Sequence, residues 1–175
     1  LSRRNVLYYH LNSNGQIDVL ILKNATGDVG SYGLVTNVTA ITQPDPETPE
    51  GEEPEEIVVG YTVTYILNGQ TSTVTLDADA TVTRGGVLFK FKNGQLTGTT
   101  SLRKVTATRI SGLTATTASG AIDIADDVAV YVKMDNQYVL TSLATVSDSY
   151  EYDLSCYYDG SASSGKVRVI VAEEK

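Results

Sequence analysis

The stretch Tyr61–Leu76, "YTVTYILNGQTSTVTL", shows the pattern from which the fold is predicted. Polar and apolar residues alternate on both sides of Asn68-Gly69, and the alternating positions are filled by threonine, valine, tyrosine and isoleucine, which favour strands. An Asn-Gly pair readily adopts the positive φ angles that a two-residue hairpin turn needs. The stretch therefore predicts two antiparallel strands joined by a tight turn.

The same combination recurs along the whole chain of 175 residues. No segment carries the sustained apolar stripe of an amphipathic helix, although "LTSLATV", which ends at Val146, is compatible with one helical turn. The sequence thus predicts an all-β fold with almost no helix. The other turn pairs between apolar runs are Asn14-Gly15, Asn93-Gly94, Ser119-Gly120 and Asp159-Gly160.

Similar hairpins and similar strand blocks occur more than once, which predicts a tandem repeat. The segment Leu76–Val82 aligns with Ile124–Val130, and both are interpreted as a strand, a short acidic turn and a further strand. Five or six short strands per repeat favour small antiparallel barrels or meanders of OB-like or related type. The predicted units are 1–30, the closing hairpin of a preceding repeat packed on the next unit, then 31–102 and 103–175.

The acidic stretch Gln43–Glu56, "QPDPETPEGEEPEE", holds all four prolines and seven of the twenty-one acidic residues. Its composition is that of a stiff, charged linker. In the second repeat, however, the matching strands are separated only by Ser111-Gly112. We therefore predict that 43–56 is a loop at the tip of a hairpin inside the first unit.

Charge and hydropathy exclude two classes of function. Outside the acidic stretch, the chain has thirteen basic and fourteen acidic residues, and the basic ones are scattered along the sequence. A nucleic-acid-binding surface is therefore not expected. No apolar run approaches the roughly 20 residues of a membrane-spanning helix.

The N-terminal "LSRRNVLYYH" has neither an initiator methionine nor the pattern of a signal peptide. We expect the chain to be a piece of a longer protein, with the upstream domains of that polypeptide as its neighbours.

No arrangement of nucleophile, base and acid is visible, so we predict no catalytic residues and no cofactor. Cys156 is the only cysteine and is interpreted as a small buried hydrophobic residue. His10 is the only histidine and is interpreted as a surface residue of a strand. The sequence contains no cluster with the spacing of a zinc site.

Two acidic pairs, Asp77/Asp79 and Asp126/Asp127, are interpreted as turn residues, with a weak calcium site as the alternative. We predict no bound metal ion. Gly85-Gly86 precedes a strand and not a helix, so it is not expected to bind phosphate.

The tyrosine-rich segment "SDSYEYDLSCYYDG" carries the one candidate ligand surface. Strand alternation puts Leu154 and Cys156 on the core face together with the even-numbered tyrosines Tyr150, Tyr152 and Tyr158. Tyr157 is then expected to point outward beside Asp153 and Ser155. Core packing is the simplest interpretation of the segment. A ligand patch of Tyr157, Asp153 and Tyr150 is the alternative.

Several segments, in the same order, resemble the C-terminal β-repeat region of S-layer-homology-domain cell-surface proteins of Gram-positive bacteria. They are "GQIDVLILKNATGDVGSYGLVTNV", "YTVTYILNGQTSTVTL", "LFKFKNGQLTGTTSL" and "YVLTSLATVSDSYEYDLSCYYDGSASSGKVRVIVA". The acidic stretch departs from the pattern. The resemblance implies an exported protein held non-covalently on the cell wall, and it implies no catalytic residue in this region.

Together these observations favour a non-catalytic structural or display module of a cell-wall-associated, S-layer-type protein, located outside the cell. The alternative is a surface module that binds a cell-wall or host glycan, or a protein, through the tyrosine and aspartate patch.

Overall fold

The computed structural model describes residues 6–22, 30–49, 53–135, 137–147, 150–161 and 164–175. Within these ranges the chain forms thirteen strands and one helix of four residues. The prediction of an all-β fold with almost no helix is confirmed. The chain divides into two compact units, Leu1–Gly30 and Ser31–Lys175.

In its described residues, the first unit forms a hairpin of the antiparallel strands β1 (Val6–Leu11) and β2 (Ile17–Leu22). In its turn, the side-chain oxygen of Asn12 accepts hydrogen bonds from the amides of Asn14 and Gln16, each at 3.0 Å. Packing of this hairpin on the next unit stays a prediction. Its exposed large side chains are Tyr8, Tyr9, Leu11, Ile17 and Val19.

The second unit begins with a five-stranded antiparallel sheet in the order β5-β4-β3-β6-β7. The hairpin turns have the positive φ angles expected of Asn-Gly: Asn68 has φ +51° and Gly69 has φ +78°. We call this sheet the first barrel, because its outer strands β5 and β7 approach each other without pairing. The strands are β3 (Ser31–Pro44), β4 (Glu56–Leu67), β5 (Gln70–Asp77), β6 (Gly85–Lys92) and β7 (Gln95–Ser101).

The acidic stretch joins two paired strands. The ladder between β3 and β4 continues to the pair Pro44↔Glu56, and the amide of Asp45 donates to the carbonyl of Glu55 at 2.8 Å. The Asp45 side chain accepts from the amide of Glu47 at 2.9 Å, which is an Asx-type turn. The prolines of this stretch thus lie at or beyond the end of the hairpin, where their missing amide hydrogens disturb no central ladder.

The rest of the unit forms a six-stranded sheet in the order β11-β10-β13-β12-β8-β9, with β9 also paired to β10. This extra pairing closes five of the strands into a ring, which we call the second barrel; β11 flanks β10 outside it. The elements are β8 (Arg103–Ser111), β9 (Thr114–Thr117), β10 (Gly120–Met134), β11 (Gln137–Thr141), α1 (Leu143–Val146), β12 (Tyr152–Tyr158) and β13 (Lys166–Glu174).

The second barrel closes through a parallel pair, β10 with β13, where only antiparallel pairs were expected. The length of β10 permits this. Its first part, Gly120–Asp123, pairs with β9, and after an irregularity between Ile124 and Ala129 its second part pairs with β11. A bulge of this kind redirects a strand and lets it serve both edges of a barrel.

The same irregularity corrects the prediction for Asp126 and Asp127. These residues lie inside β10 and do not form a turn after it. Asp77 does end its strand, and its carbonyl accepts from the amide of Ala80 at 3.0 Å in the turn that follows. The pair Asp77/Asp79 therefore lies at the end of a strand, and the pair Asp126/Asp127 lies at a bulge. At both places the backbone departs from the regular pattern of strand pairing.

The pairing order is the same in the two barrels when β3, β4, β5, β6 and β7 are matched with β8, β9, β10, β12 and β13. The order in the second barrel is that of a closed five-stranded Greek-key barrel, as in OB-like folds. In the first barrel the equivalent closing pair, β5 with β7, is open. Beside that seam, the amide and the hydroxyl of Thr99 both donate to the carbonyl of Thr81, at 2.8 Å and 3.4 Å.

Each barrel has its own apolar core, and a third cluster is shared between them. Val146 of α1 is fully buried in the second core, so the one helical turn covers that barrel. The shared cluster joins strands of both barrels and couples them. Its buried members are Leu34 and Ile66 from the first barrel and Tyr131, Val169 and Val171 from the second.

Candidate functional site

The core face of β12 has the predicted composition except for Tyr150, which was expected on it but precedes the strand and is exposed. Leu154 and Cys156 are buried in the second barrel, and Tyr152 and Tyr158 pack against the same core. Burial raises the pKa of the Cys156 thiol to about 12. The thiol therefore stays protonated at neutral pH and acts as a small hydrophobic residue, as predicted.

The opposite face of β12 is only partly open to solvent, since Asp153 is exposed but Tyr157 is not, and this corrects the expectation for Tyr157. Its side chain is half-buried and belongs to the cluster shared by the two barrels. The ring lies directly over Gly85 and Gly86 at the start of β6. The alternation of side chains along β12 was predicted correctly, but Tyr157 on its outer face is covered because the first barrel packs on it.

Gly85 and Gly86 have no side chains, and the Tyr157 ring occupies the space that side chains would fill. Gly85 has φ +114°, a conformation that other residues rarely adopt. A methyl group on Gly86 would overlap Cγ of Tyr157 and lie 2.8 Å from Cδ1. No local pattern in the sequence accounts for these two glycines. The reason is a close approach between residues about seventy positions apart.

Gly86→Ala is therefore expected to destabilise the protein by about 3 kcal/mol, because the added methyl group forces Tyr157 out of its position between the barrels. The measurement is the free energy of unfolding in denaturant. Gly98→Ala is the matched control in the same sheet, since its methyl group would meet no side chain, only the carbonyl oxygen of Thr81 at 3.2 Å and its amide nitrogen at 3.8 Å. Equal losses in the two variants would contradict the packing argument.

The structure does not gather the predicted patch of Tyr157, Asp153 and Tyr150 on one open surface. Tyr150 is 81% exposed and precedes β12, while Asp153 is exposed opposite Glu173 of β13. Tyr157 instead lines a cleft between the barrels, and neither Asp153 nor Tyr150 is among the residues that line it. A ligand role for the patch stays a prediction.

This inter-barrel cleft has a volume of about 240 Å³. The first barrel contributes Arg84, Gly85 and residues of β3, and the other lining residues come from four strands of the second barrel and from β11 beside it. The residues that carry polar chemistry are three cations, Arg84, Lys104 and Lys133, one carboxylate, Glu173, and the hydroxyls of Thr36, Tyr138, Ser155 and Tyr157. These cations could not be found from the sequence, because Arg84, Lys104 and Lys133 lie far apart in the chain and come together only when the barrels pack.

Positive charge predominates in the cleft. Lys133 donates to Glu173 at 2.6 Å, and this hydrogen bond raises the pKa of Lys133 while the charge of Arg84 opposes the rise. Neither Arg84 nor Lys104 forms an ion pair with any carboxylate in the described part of the chain. Two of the three cations are thus available to a ligand.

The tyrosine hydroxyls of the cleft complete its polar lining. Burial, and secondarily the neighbouring Tyr138, raise the pKa of Tyr157 above its ordinary value. The hydroxyl therefore keeps its proton at neutral pH and can both donate and accept a hydrogen bond.

A buried arginine lies at a second contact between the barrels. Arg168 on β13 is 4% exposed, and its Nε donates to Oδ2 of Asp159 at 2.8 Å. The Tyr32 hydroxyl of the first barrel donates to the same oxygen at 3.2 Å, and the guanidinium carbon lies 4.8 Å from the centre of the Tyr32 ring. Asp127, on the bulge of β10, is 3.6 Å from Nη1. We call these four residues the arginine network.

The network lowers the pKa of Asp159. Desolvation alone would raise it, but the amide of Lys166 (2.8 Å), the guanidinium of Arg168 and the Tyr32 hydroxyl together outweigh that effect. A carboxylate with a lowered pKa in the folded state stabilises the fold above its unfolded pKa, about 3.9, and this stabilisation is lost as pH falls through the folded pKa.

We therefore expect Asp159→Asn to lower the free energy of unfolding by about 1–2 kcal/mol at pH 7, and the difference from the original protein to shrink below about pH 4. Denaturant unfolding at both pH values measures it. Asp153→Asn, an exposed carboxylate on the adjacent strand, is the control and should show no such change. A difference that stays constant down to pH 2 would refute the assignment.

The larger cavity lies at the open seam of the first barrel, with a volume of about 690 Å³. Asp77, Asp79 and Lys92 line it together with Tyr65 and Leu96. Two carboxylates beside a lysine do not make a calcium site, and the described residues contain no group of three histidine, cysteine or acidic side chains able to hold a metal ion. His10 lies exposed on β1 with Nδ1 2.7 Å from Oδ1 of Asp18.

Comparison of the chain with protein-family models, with curated proteins and with solved structures finds no match. The resemblance to S-layer-homology-domain proteins therefore stays a prediction. Among the described residues, no helix has the length and apolar character needed to cross a membrane.

Proposed function

We propose that this chain is a non-catalytic structural module of a bacterial cell-surface protein of S-layer type, built as a tandem repeat and working outside the cell as a rigid spacer. The observation that carries the proposal is the position of the first and last strands of the second unit. β3 is the central strand of the first barrel, and β13 lies between β10 and β12. Both are hydrogen-bonded on two sides.

This arrangement suits a module that transmits force along a polypeptide. A strand at a sheet edge can be peeled away one hydrogen bond at a time, whereas β13 is held through two ladders along most of its length. The shared cluster and the arginine network add a coupling between the barrels, so that neither extends alone. The equal strand order of the two barrels supports a repeat origin, and the sequence resemblance supports the cell-wall location.

Single-molecule force spectroscopy on the full chain tests the proposal. We expect the second unit to unfold at a higher force when pulled through its two ends than when pulled through the N-terminal end and a thiol on β11, introduced by Val139→Cys. β11 is an edge strand, and Val139 is exposed on it. The native Cys156 is buried, so it does not compete with the introduced thiol for attachment of the pulling handle. Equal forces in the two geometries would argue against a spacer.

The non-catalytic assignment has its own test. The purified chain is expected to release no product from cell-wall or mucin glycans over prolonged incubation. Release of soluble saccharide at a rate that depends on protein concentration would overturn it.

A further inference from the structure

We propose that the inter-barrel cleft binds an acidic sugar, that is, a saccharide unit bearing one carboxylate and several hydroxyls. This role goes beyond that of a spacer. It rests on the charge, the hydroxyl groups and the volume of the cleft.

The first argument is charge. The chain has thirteen basic and twenty-one acidic residues, yet the cleft brings together three cations and a single carboxylate. Lys133 is paired with Glu173, which leaves Arg84 and Lys104 facing the cleft. A guanidinium binds a carboxylate through two parallel hydrogen bonds, and a nearby ammonium adds a second positive charge. An anion with carboxylate geometry fits this pair.

The second argument is the set of hydroxyl groups. Within the described residues, the hydroxyls of Tyr138, Ser155 and Tyr157 have no hydrogen-bond partner, although all three side chains are at least partly buried. Each can donate and accept one bond, as sugar hydroxyls can. A simple inorganic anion would use the cations and leave these hydroxyls to water, whereas a hydroxylated acid can bind to both.

The third argument is size and preorganisation. A volume of about 240 Å³ is below the range typical of drug-sized ligands, and it suits a group about as large as one sugar ring. The Tyr157 ring is held in place by its packing on Gly85 and Gly86, so this wall of the cleft needs no rearrangement. Because both barrels contribute residues, the site exists only when the barrels are packed together.

The test is a titration of the isotopically labelled full chain with glucuronate, followed by amide chemical shifts. We expect saturable shifts at Gly85, Lys104 and Ser155, and affinity for glucose lower by about tenfold or more, because glucose lacks the carboxylate. Arg84→Gln should weaken glucuronate binding by about tenfold without changing the melting temperature, since Arg84 is exposed. Lys90→Gln, an exposed lysine on β6 outside the cleft, is the matched control.

Three outcomes would overturn the proposal. The first is glucuronate binding that Arg84→Gln leaves unchanged. The second is equal affinity for glucose, which would mean that the cations take no part. The third is equal affinity for acetate or inorganic phosphate at the same amides, which would indicate an unspecific anion site.

Discussion

Arg168→Met is expected to lower the free energy of unfolding by about 3 kcal/mol. The methionine retains much of the apolar stem, but Asp159 loses its closest cation and Tyr32 loses the guanidinium against its ring. Removing one partner of a buried ion pair is costly because the remaining charge keeps its desolvation penalty. Denaturant unfolding at pH 7 provides the measurement.

The control for this substitution is Lys133→Met. Lys133 and Glu173 are 2.6 Å apart, but their side chains are 27% and 55% exposed, whereas Arg168 is 4% exposed. An exposed pair contributes less than about 1 kcal/mol, so this variant should remain near the original stability. Arg168→Met should also weaken the acid dependence attributed to Asp159, with the part due to the Lys166 amide and the Tyr32 hydroxyl remaining. A loss below about 1 kcal/mol in Arg168→Met would show that the network does not hold the barrels together.

Tyr131→Ala is expected to have an effect at least as large, about 4 kcal/mol. Tyr131 is fully buried in the shared cluster, which also contains Leu34 and Ile66 of the first barrel and Val169 of the second. Truncation leaves a cavity at the contact between the barrels, so we also expect unfolding to lose its single cooperative transition. Calorimetry and denaturant unfolding followed by two probes measure both effects.

The variant Tyr131→Phe separates the contribution of the ring to stability from that of the hydroxyl. The hydroxyl is buried and has no partner of normal hydrogen-bond geometry in the described chain. Burial raises the pKa of Tyr131, and the backbone of Gly69 opposes that rise only in part. Removing an unsatisfied polar group costs little, so Tyr131→Phe should lie within about 1 kcal/mol of the original protein. Tyr150→Ala is the exposed control and should be neutral. A large loss in Tyr131→Phe would mean that the hydroxyl has a strong partner.

The shared cluster and the arginine network both connect the two barrels through a small number of side chains. Each barrel buries its own core, but the contacts between the barrels are few, and they are concentrated in a small number of side chains. Substitutions at these positions are therefore expected to act on the coupling of the barrels as well as on their stability. The inter-barrel cleft depends on the same coupling, since Arg84 and Lys104 come from different barrels.

Local sequence determined the strands and turns of this protein. Period-2 alternation and pairs such as Asn68-Gly69 specify backbone conformation within a few residues, so the all-β class, the hairpins and the core face of β12 could be predicted. The acidic stretch could be placed at a hairpin tip for a similar reason, because the segments beside it align with paired strands elsewhere in the chain.

Tertiary structure alone decided the closure of the second barrel and the contacts between the barrels. The parallel pair of β10 and β13 depends on a bulge at Asp126 and Asp127, where the local pattern resembles a turn. Tyr32 and Asp159 are 127 positions apart, and Tyr157 meets Gly86 only because the two barrels pack face to face. Such contacts depend on which surfaces meet after each barrel has formed, and no short-range pattern of residues encodes that choice.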